Sequence, residues 1–170
     1  MRSLRLLLAA VLAVAVSGPL VAPPAAAREV VAMNGGTPGS IIVRTSERRL
    51  YYILGNGRAI RYPVGVGRAG MQWAGRSYVR GMHVQPAWAP PRAVKRDHPN
   101  LPDYIPGGAP NNPMGAAALT LNGGEYAIHG TNRPGSIGQF VSYGCIRMYN
   151  RDIMDLFRRV HVGTPVLVTR

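Results

Sequence analysis

The chain has 170 residues, 46% of them hydrophobic and 16% charged, and its 20 Lys+Arg against 7 Asp+Glu give a formal charge of +13. So apolar a composition excludes a disordered basic tail, and the length suits one domain with a core of its own. A single cysteine excludes an internal disulfide framework, four scattered histidines offer no zinc-site spacing, and 21 Gly with 15 Pro in no fixed period point to many turns rather than collagen or a helical bundle.

In chain order, the first segment reads as an address. Arg2 and Arg5 precede an apolar run from Leu6 to Val16, followed by Pro19 and a small-residue stretch ending Ala25-Ala26-Ala27. Basic start, short apolar run and A-x-A site are the parts of a secretory signal peptide, which predicts cleavage after Ala27 and a mature chain from Arg28. The run is too short to span a bilayer, so no stable transmembrane segment is expected once it is removed. Losing two Arg leaves 18 basic against 7 acidic residues, a formal +11. Outside the cytoplasm such a surface meets lipid headgroups and cell-wall polymers. The Arg are dispersed and no helix-turn-helix or RNP motif occurs, which argues against nucleic acid.

Residues 28–63 predict short strands. Ile41-Ile42-Val43 and Leu50 to Leu54 are β-branched or aromatic, and Gly55-Asn56-Gly57 before Ala59 to Tyr62 marks an antiparallel hairpin. From Gly65 to about Pro113 the chain turns Gly- and Pro-rich, with Ser77 to Val84 as one strand inside a long irregular stretch. Trp73, Trp88 and Tyr104 favour a functional loop over a disordered one. A second hairpin runs from Ala117-Leu121 through Asn122-Gly123-Gly124 to Tyr126-His129, and residues 130–149 read as loop. Ile153, Leu156, Phe157 and Val160 give a helical spacing with Asn150 as N-cap and Asp152 in the first turn, stopped by Gly163 before a last strand at 165–168. The sum is a mostly-β fold with one short helix after the cysteine loop.

The chemistry concentrates between His129 and Cys145. A cysteine nucleophile needs a base to make the thiolate and donors for an oxyanion. Cys145 fits the first role and His129 the second, with the N–H groups of Tyr143, Gly144 and Cys145 as donors and the Gly130 carbonyl available to orient the imidazole. Arg147 nearby would lower the thiol pKa. Against this stands the plainer reading: a lone cysteine is often a small buried hydrophobe, and a histidine at a strand end is often only hydrogen-bonded. An exported protein gains nothing from an unpaired thiol, which keeps both readings open.

His129-Gly130-Thr131-Asn132, Ser136-Ile137-Gly138 and Ser142-Tyr143-Gly144-Cys145-Ile146-Arg147-Met148, followed by Asn150 and Asp152, resemble the signature of L,D-transpeptidases with a YkuD-type catalytic domain. Gly65-Val66-Gly67, Trp73-Ala74-Gly75, residues 86–91 and residues 105–115 extend the resemblance, which covers 39–170 after a 28–38 N-terminal segment. The resemblance implies a β-sandwich or barrel-like fold without cofactor or metal, and a role in cell-wall biogenesis and cell shape. Cys145 would attack the carbonyl between diamino acid and D-Ala of a peptidoglycan stem, with His129 as base, Gly130 as its orienter, and Tyr143 and Gly144 beside the oxyanion. An amine would resolve the thioester, from a second stem to give a 3-3 cross-link or from an envelope protein. Many members carry Ser-His-Gly-Cys where this chain has Ser142-Tyr143-Gly144-Cys145. Arg147, Ser142, Trp88 and Tyr104 are the candidates for substrate contact. Arg147 has an ion-pair reading, the aromatics a packing reading, and Asn150 is favoured as a cap. Resolution by water would make the enzyme a carboxypeptidase or endopeptidase, and a non-catalytic, wall-binding basic domain is the third possibility.

Overall fold

The computed structural model describes residues 28–170; the leader reading of 1–27 lies outside them. Eleven strands are formed among the described residues: β1 Glu29–Ala32, β2 Ile41–Arg44, β3 Arg49–Gly55, β4 Arg58–Pro63, β5 Val66–Gly67, β6 Gly75–Val84, β7 Ala117–Leu121, β8 Ala127–His129, β9 Phe140–Ser142, β10 Ile146–Arg147 and β11 Pro165–Thr169. Nine of them pair in the order β1-β4-β3-β2-β11-β6-β7-β8-β10, and β5 pairs with β9 separately. The β3–β4 hairpin turns where Gly55, Asn56 and Gly57 all take positive φ, the conformation that Asn-Gly tolerates.

The ten-residue β6 joins two layers. Its first residues, Gly75 to Tyr78, pair with β11, and Val79 to Val84 pair with β7 across a register shift between Val79 and Gly81. A strand that changes partners at an irregularity bends the sheet over its own core. Ile41, Val43, Leu50, Tyr62, Val64, Val79, Leu119, Ile128 and Ile146 fill that core. This is the mostly-β, sandwich-like architecture expected.

A smaller cluster of Met33, Tyr51, Ile53 and Ala59 covers the other face of the β2–β3–β4 layer, with Val31 and Ile42 packed on it. The 28–38 segment, set apart in the sequence reading, therefore supplies both an edge strand and part of a hydrophobic cover.

Two helices frame the site. α2, Asn150–Phe157, buries Ile153 and Leu156 and packs against β7 and β8. It ends well before Gly163, and Val160 is buried in the turn that follows. The other, α1 at Arg92–Asp97, lies in the stretch read as irregular loop and buries none of its residues. Lacking an apolar stripe, it has no periodic signal in sequence. The expectation of Asn150 as N-cap is corrected: the cap position is Tyr149, without a side-chain cap bond, and Asn150 is the first helical residue. None of the helices among the described residues is long and apolar enough to cross a membrane.

Candidate active site

His129 closes β8, and β10 runs parallel to it with Ile146 opposite Ile128 and Arg147 opposite His129. The Met148 N–H extends this pairing to the His129 carbonyl at 2.8 Å. Cys145 immediately precedes β10, so two residues of β ladder bring the cysteine loop alongside the end of the histidine strand. The same ladder was invisible in sequence, where 130–149 read as loop.

The imidazole is buried, 4% exposed. Its Nδ1 lies 2.7 Å from the Gly130 carbonyl, which can only accept, so Nδ1 carries the proton and Nε2 is left as the basic nitrogen. Position 130 requires glycine, because a Cβ there would stand 2.3 Å from Asn150 Oδ1 and 2.9 Å from Ala116 N. That Asn150 oxygen accepts from the Ala116 and Thr131 N–H groups, each at 3.0 Å. The side chain read as a helix cap thus ties α2 to the start of β7 and to the turn that follows His129.

The cysteine loop is fastened residue by residue. Ser142 Oγ donates to the Cys145 carbonyl at 2.6 Å and accepts from the Gly144 N–H at 3.1 Å. Trp73 Nε1–H donates to the Gly144 carbonyl at 2.9 Å, and its ring stacks on Tyr126 with centroids 4.8 Å apart. Gly144 has φ +118°, and a Cβ on it would meet Tyr126 Cε1 at 2.4 Å. These contacts revise two expectations. The Ser142 hydroxyl is spent inside the loop rather than offered to substrate, and the Gly144 N–H is not a free oxyanion donor. The Tyr143 and Cys145 N–H groups have no hydrogen-bond partner among the described residues.

Burial sets the charge states. It pulls the His129 imidazole down to about 4, the neighbouring Arg147 adding in the same direction, against the Gly130 and Pro113 carbonyls. Burial likewise pushes the Cys145 thiol up, outweighing the Ala127 N–H and the Arg147 guanidinium that favour thiolate. Arg147 thus acts on the thiol in the expected direction, but desolvation outweighs it. Cys145 keeps part of its surface open while protein atoms crowd its sulfur, which donates weakly to the Glu125 carbonyl at 3.9 Å. At neutral pH the pair rests as thiol and neutral imidazole.

Cys145, His129 and Arg147 share one cavity of about 380 Å³, lined also by Trp88, Pro91, Ala93 and Val94. A volume of this size suits a small-molecule or short-peptide group. Arg147, Trp88, Val94, Pro113 and Tyr143 also line an adjoining cavity of about 350 Å³. Arg147 is half-buried, and no carboxylate among the described residues pairs with it. Tyr104 is displaced from the expected groove: it is 62% exposed and lines neither cavity. Sequence reasoning missed Tyr126 and Asn150 as positioning groups, and it took Trp73 as a loop aromatic and part of the family resemblance without its bond to the Gly144 carbonyl. Among the described residues, no three His, Cys, Asp or Glu side chains gather as a metal site.

A bent, mostly-β layer pair thus presents a buried imidazole and a tethered cysteine loop to one cleft. The model of the YkuD family, the L,D-transpeptidase catalytic domain, matches residues 38–168, and the chain belongs to that family. A protein of Escherichia coli K12 named probable L,D-transpeptidase ErfK/SrfK is 40% identical over 137 residues, which is 75% of this chain and 43% of that protein. The chain thus spans less than half the length of this curated relative. An L,D-transpeptidase structure from Mycobacterium smegmatis superposes with a TM-score of 0.61 at 16% identity, covering 76% of this chain and 58% of that one, a likeness of fold. A Brucella melitensis structure named a probable carnitine operon oxidoreductase CaiA superposes with a TM-score of 0.56 at 33% identity, over 88% and 96% of the two chains.

Proposed function

We propose that this chain is an exported peptidoglycan L,D-transpeptidase that works through a thioester on Cys145. The observation that carries the reading is the buried His129 with Nδ1 tied to the Gly130 carbonyl, in one cavity with the single thiol. His129 Nε2 accepts the Cys145 proton as sulfur attacks the carbonyl between the diamino acid and D-Ala of a tetrapeptide stem. The Gly130 carbonyl then stabilises the imidazolium through Nδ1–H, and the Tyr143 and Cys145 N–H groups take the oxyanion. The imidazolium returns its proton to the leaving amine, which departs as D-Ala. An acceptor amine attacks the thioester, gives its proton to His129, and restores the thiol. Starting from a neutral pair, the proton moves during attack, so the base must be neutral at working pH, which its depressed pKa ensures.

Arg147, a half-buried cation without a carboxylate partner among the described residues, is the group for a stem carboxylate, and Trp88 lines the same cavity. The 1–27 leader delivers the protein to the cell envelope, and the formal +11 of the rest suits its acidic polymers. The acceptor is a second stem or another envelope amine.

The test is to incubate residues 28–170 with tetrapeptide muropeptides and resolve the products by mass spectrometry. Dimers joined by 3-3 links, absent with Cys145→Ala and His129→Ala, are the expected result. Tripeptides alone would make the enzyme a hydrolase, and no product from folded protein would overturn the catalytic reading.

A further inference from the structure

The position at which many members of the family carry histidine is occupied here by Tyr143, and its side chain reaches away from the nucleophile loop. Tyr143 Oη donates to Asp97 Oδ2 at 2.7 Å, and Asp97 is the last residue of α1. Arg68 Nη2 donates to the same oxygen at 2.6 Å, while its guanidinium lies over the Tyr143 ring, 4.2 Å from the centroid. The Arg68 N–H in turn donates to the Ser142 carbonyl at 2.9 Å. Three chain segments therefore meet at one carboxylate: the residue after β5, the loop before Cys145, and the end of α1.

Helix α1 needs such a fastening. None of its residues is buried, so no apolar face anchors it. The ion pair of Lys95 with Asp103, and its bond to the Leu101 carbonyl, stay within the segment that carries the helix. Among the described residues, the side-chain bonds from α1 to the catalytic body converge on Asp97. Yet Ala93 and Val94 of this helix form a wall of the cavity that holds Cys145 and His129. The Tyr143 bond and the Arg68 guanidinium hold the Asp97 carboxyl down to about 2, so the fastening persists through mildly acidic conditions.

We propose that Tyr143 is a positioning residue: through Asp97 it pins α1 as a wall of the catalytic cavity and sets the space open to a donor stem above Cys145. The inference rests on the proposed function only for the identity of the donor. An imidazole at 143 is shorter than a phenol and would not bridge to Asp97 in the same way, so the substitution has a structural purpose in this chain. Phenylalanine would keep the ring under Arg68 and lose only the bond to the carboxylate.

Asp97→Ala, Tyr143→Phe and the double variant test it, in the chain from residue 28. Amide hydrogen exchange over residues 92–98 should quicken about fivefold in Tyr143→Phe, roughly the effect of one net hydrogen bond, and more in Asp97→Ala, which also loses the Arg68 bond. Alkylation of Cys145 by iodoacetamide should quicken in parallel, and the double variant should exceed the singles by less than their product. With tetrapeptide donor, Asp97→Ala should raise KM about fivefold and leave kcat within about twofold. Unchanged exchange and alkylation in both single variants would overturn the proposal. So would exchange that quickens equally across β2, β3 and β7, since that would make the contact one of general stability. The exchange and alkylation readings need no substrate, so they decide the matter even if wild-type protein leaves muropeptides intact.

Discussion

Lowering the pH is the sharpest perturbation of the proposed base. An ordinary histidine near 6.5 would be only about 9% neutral at pH 5.5, whereas His129, drawn down to about 4 by burial, stays about 97% neutral. The drop corresponds to about 3 kcal/mol against charging the imidazole inside the fold. The acid limb of kcat/KM for D-Ala release should therefore fall near pH 4, with little loss between pH 7 and 5.5. The same burial has a stability consequence. Because the folded pKa lies below the unfolded one, the unfolded chain takes up the extra proton first, and stability declines as pH falls from about 6.5 toward 4. At pH 4.5 this group alone should cost about 2 kcal/mol relative to pH 7, read by denaturant unfolding of wild type against His129→Gln at both pH values. An NMR titration of the His129 ring gives the same number directly. An acid limb and a ring titration near 6.5 would refute the buried, neutral base.

Further expectations concern the groups that hold the loop. Gly144→Ala places a Cβ 2.4 Å from Tyr126 Cε1 at φ +118°, and should cost about 2–3 kcal/mol in thermal unfolding and at least about thirtyfold in kcat/KM. Trp73→Phe keeps the stack on Tyr126 but loses the bond to the Gly144 carbonyl; kcat/KM should fall about fivefold with a small change in melting temperature. Asn150→Ala strands the Ala116 and Thr131 N–H groups and should lose about 1–3 kcal/mol of stability, while Asn150→Asp, which keeps the accepting oxygen, should recover most of it.

The strands legible in sequence are those whose signal is local. Ile41-Ile42-Val43, the Gly55-Asn56-Gly57 turn and Ala117 to Leu121 carry β-branched residues or positive-φ turn residues, and the structure forms β2, the β3–β4 hairpin and β7 there. Elements defined by partners elsewhere left no such trace. β10 is two residues long and exists because β8 lies beside it, yet it brings Cys145 next to the histidine strand. α1 has no buried side chain and so carries no apolar periodicity to mark it. At the site, the 129–145 segment offered His129, Gly130 and Cys145 as candidates, with the plain reading of a lone Cys and His left open beside them. The division of labour among neighbours was not legible there, because it depends on which polar atoms are already engaged. Ser142 Oγ and the Gly144 N–H satisfy each other, Asn150 reaches across to two strands' ends instead of capping its own helix, and Tyr104 turns to solvent. The thiol shows the same limit: the Arg147 contribution, visible in sequence, lowers its pKa as expected, and the larger desolvation that pushes it up is not visible there.

The central claim is that Cys145 carries the acyl group. A donor tetrapeptide mixed with stoichiometric enzyme without added acceptor, quenched in acid and read by intact mass and peptide mapping, tests it most directly. The account predicts a tripeptide acyl adduct on Cys145 with release of D-Ala, and neither product from Cys145→Ala. D-Ala released by Cys145→Ala at the wild-type rate, or an adduct mapped to any other residue, would contradict it.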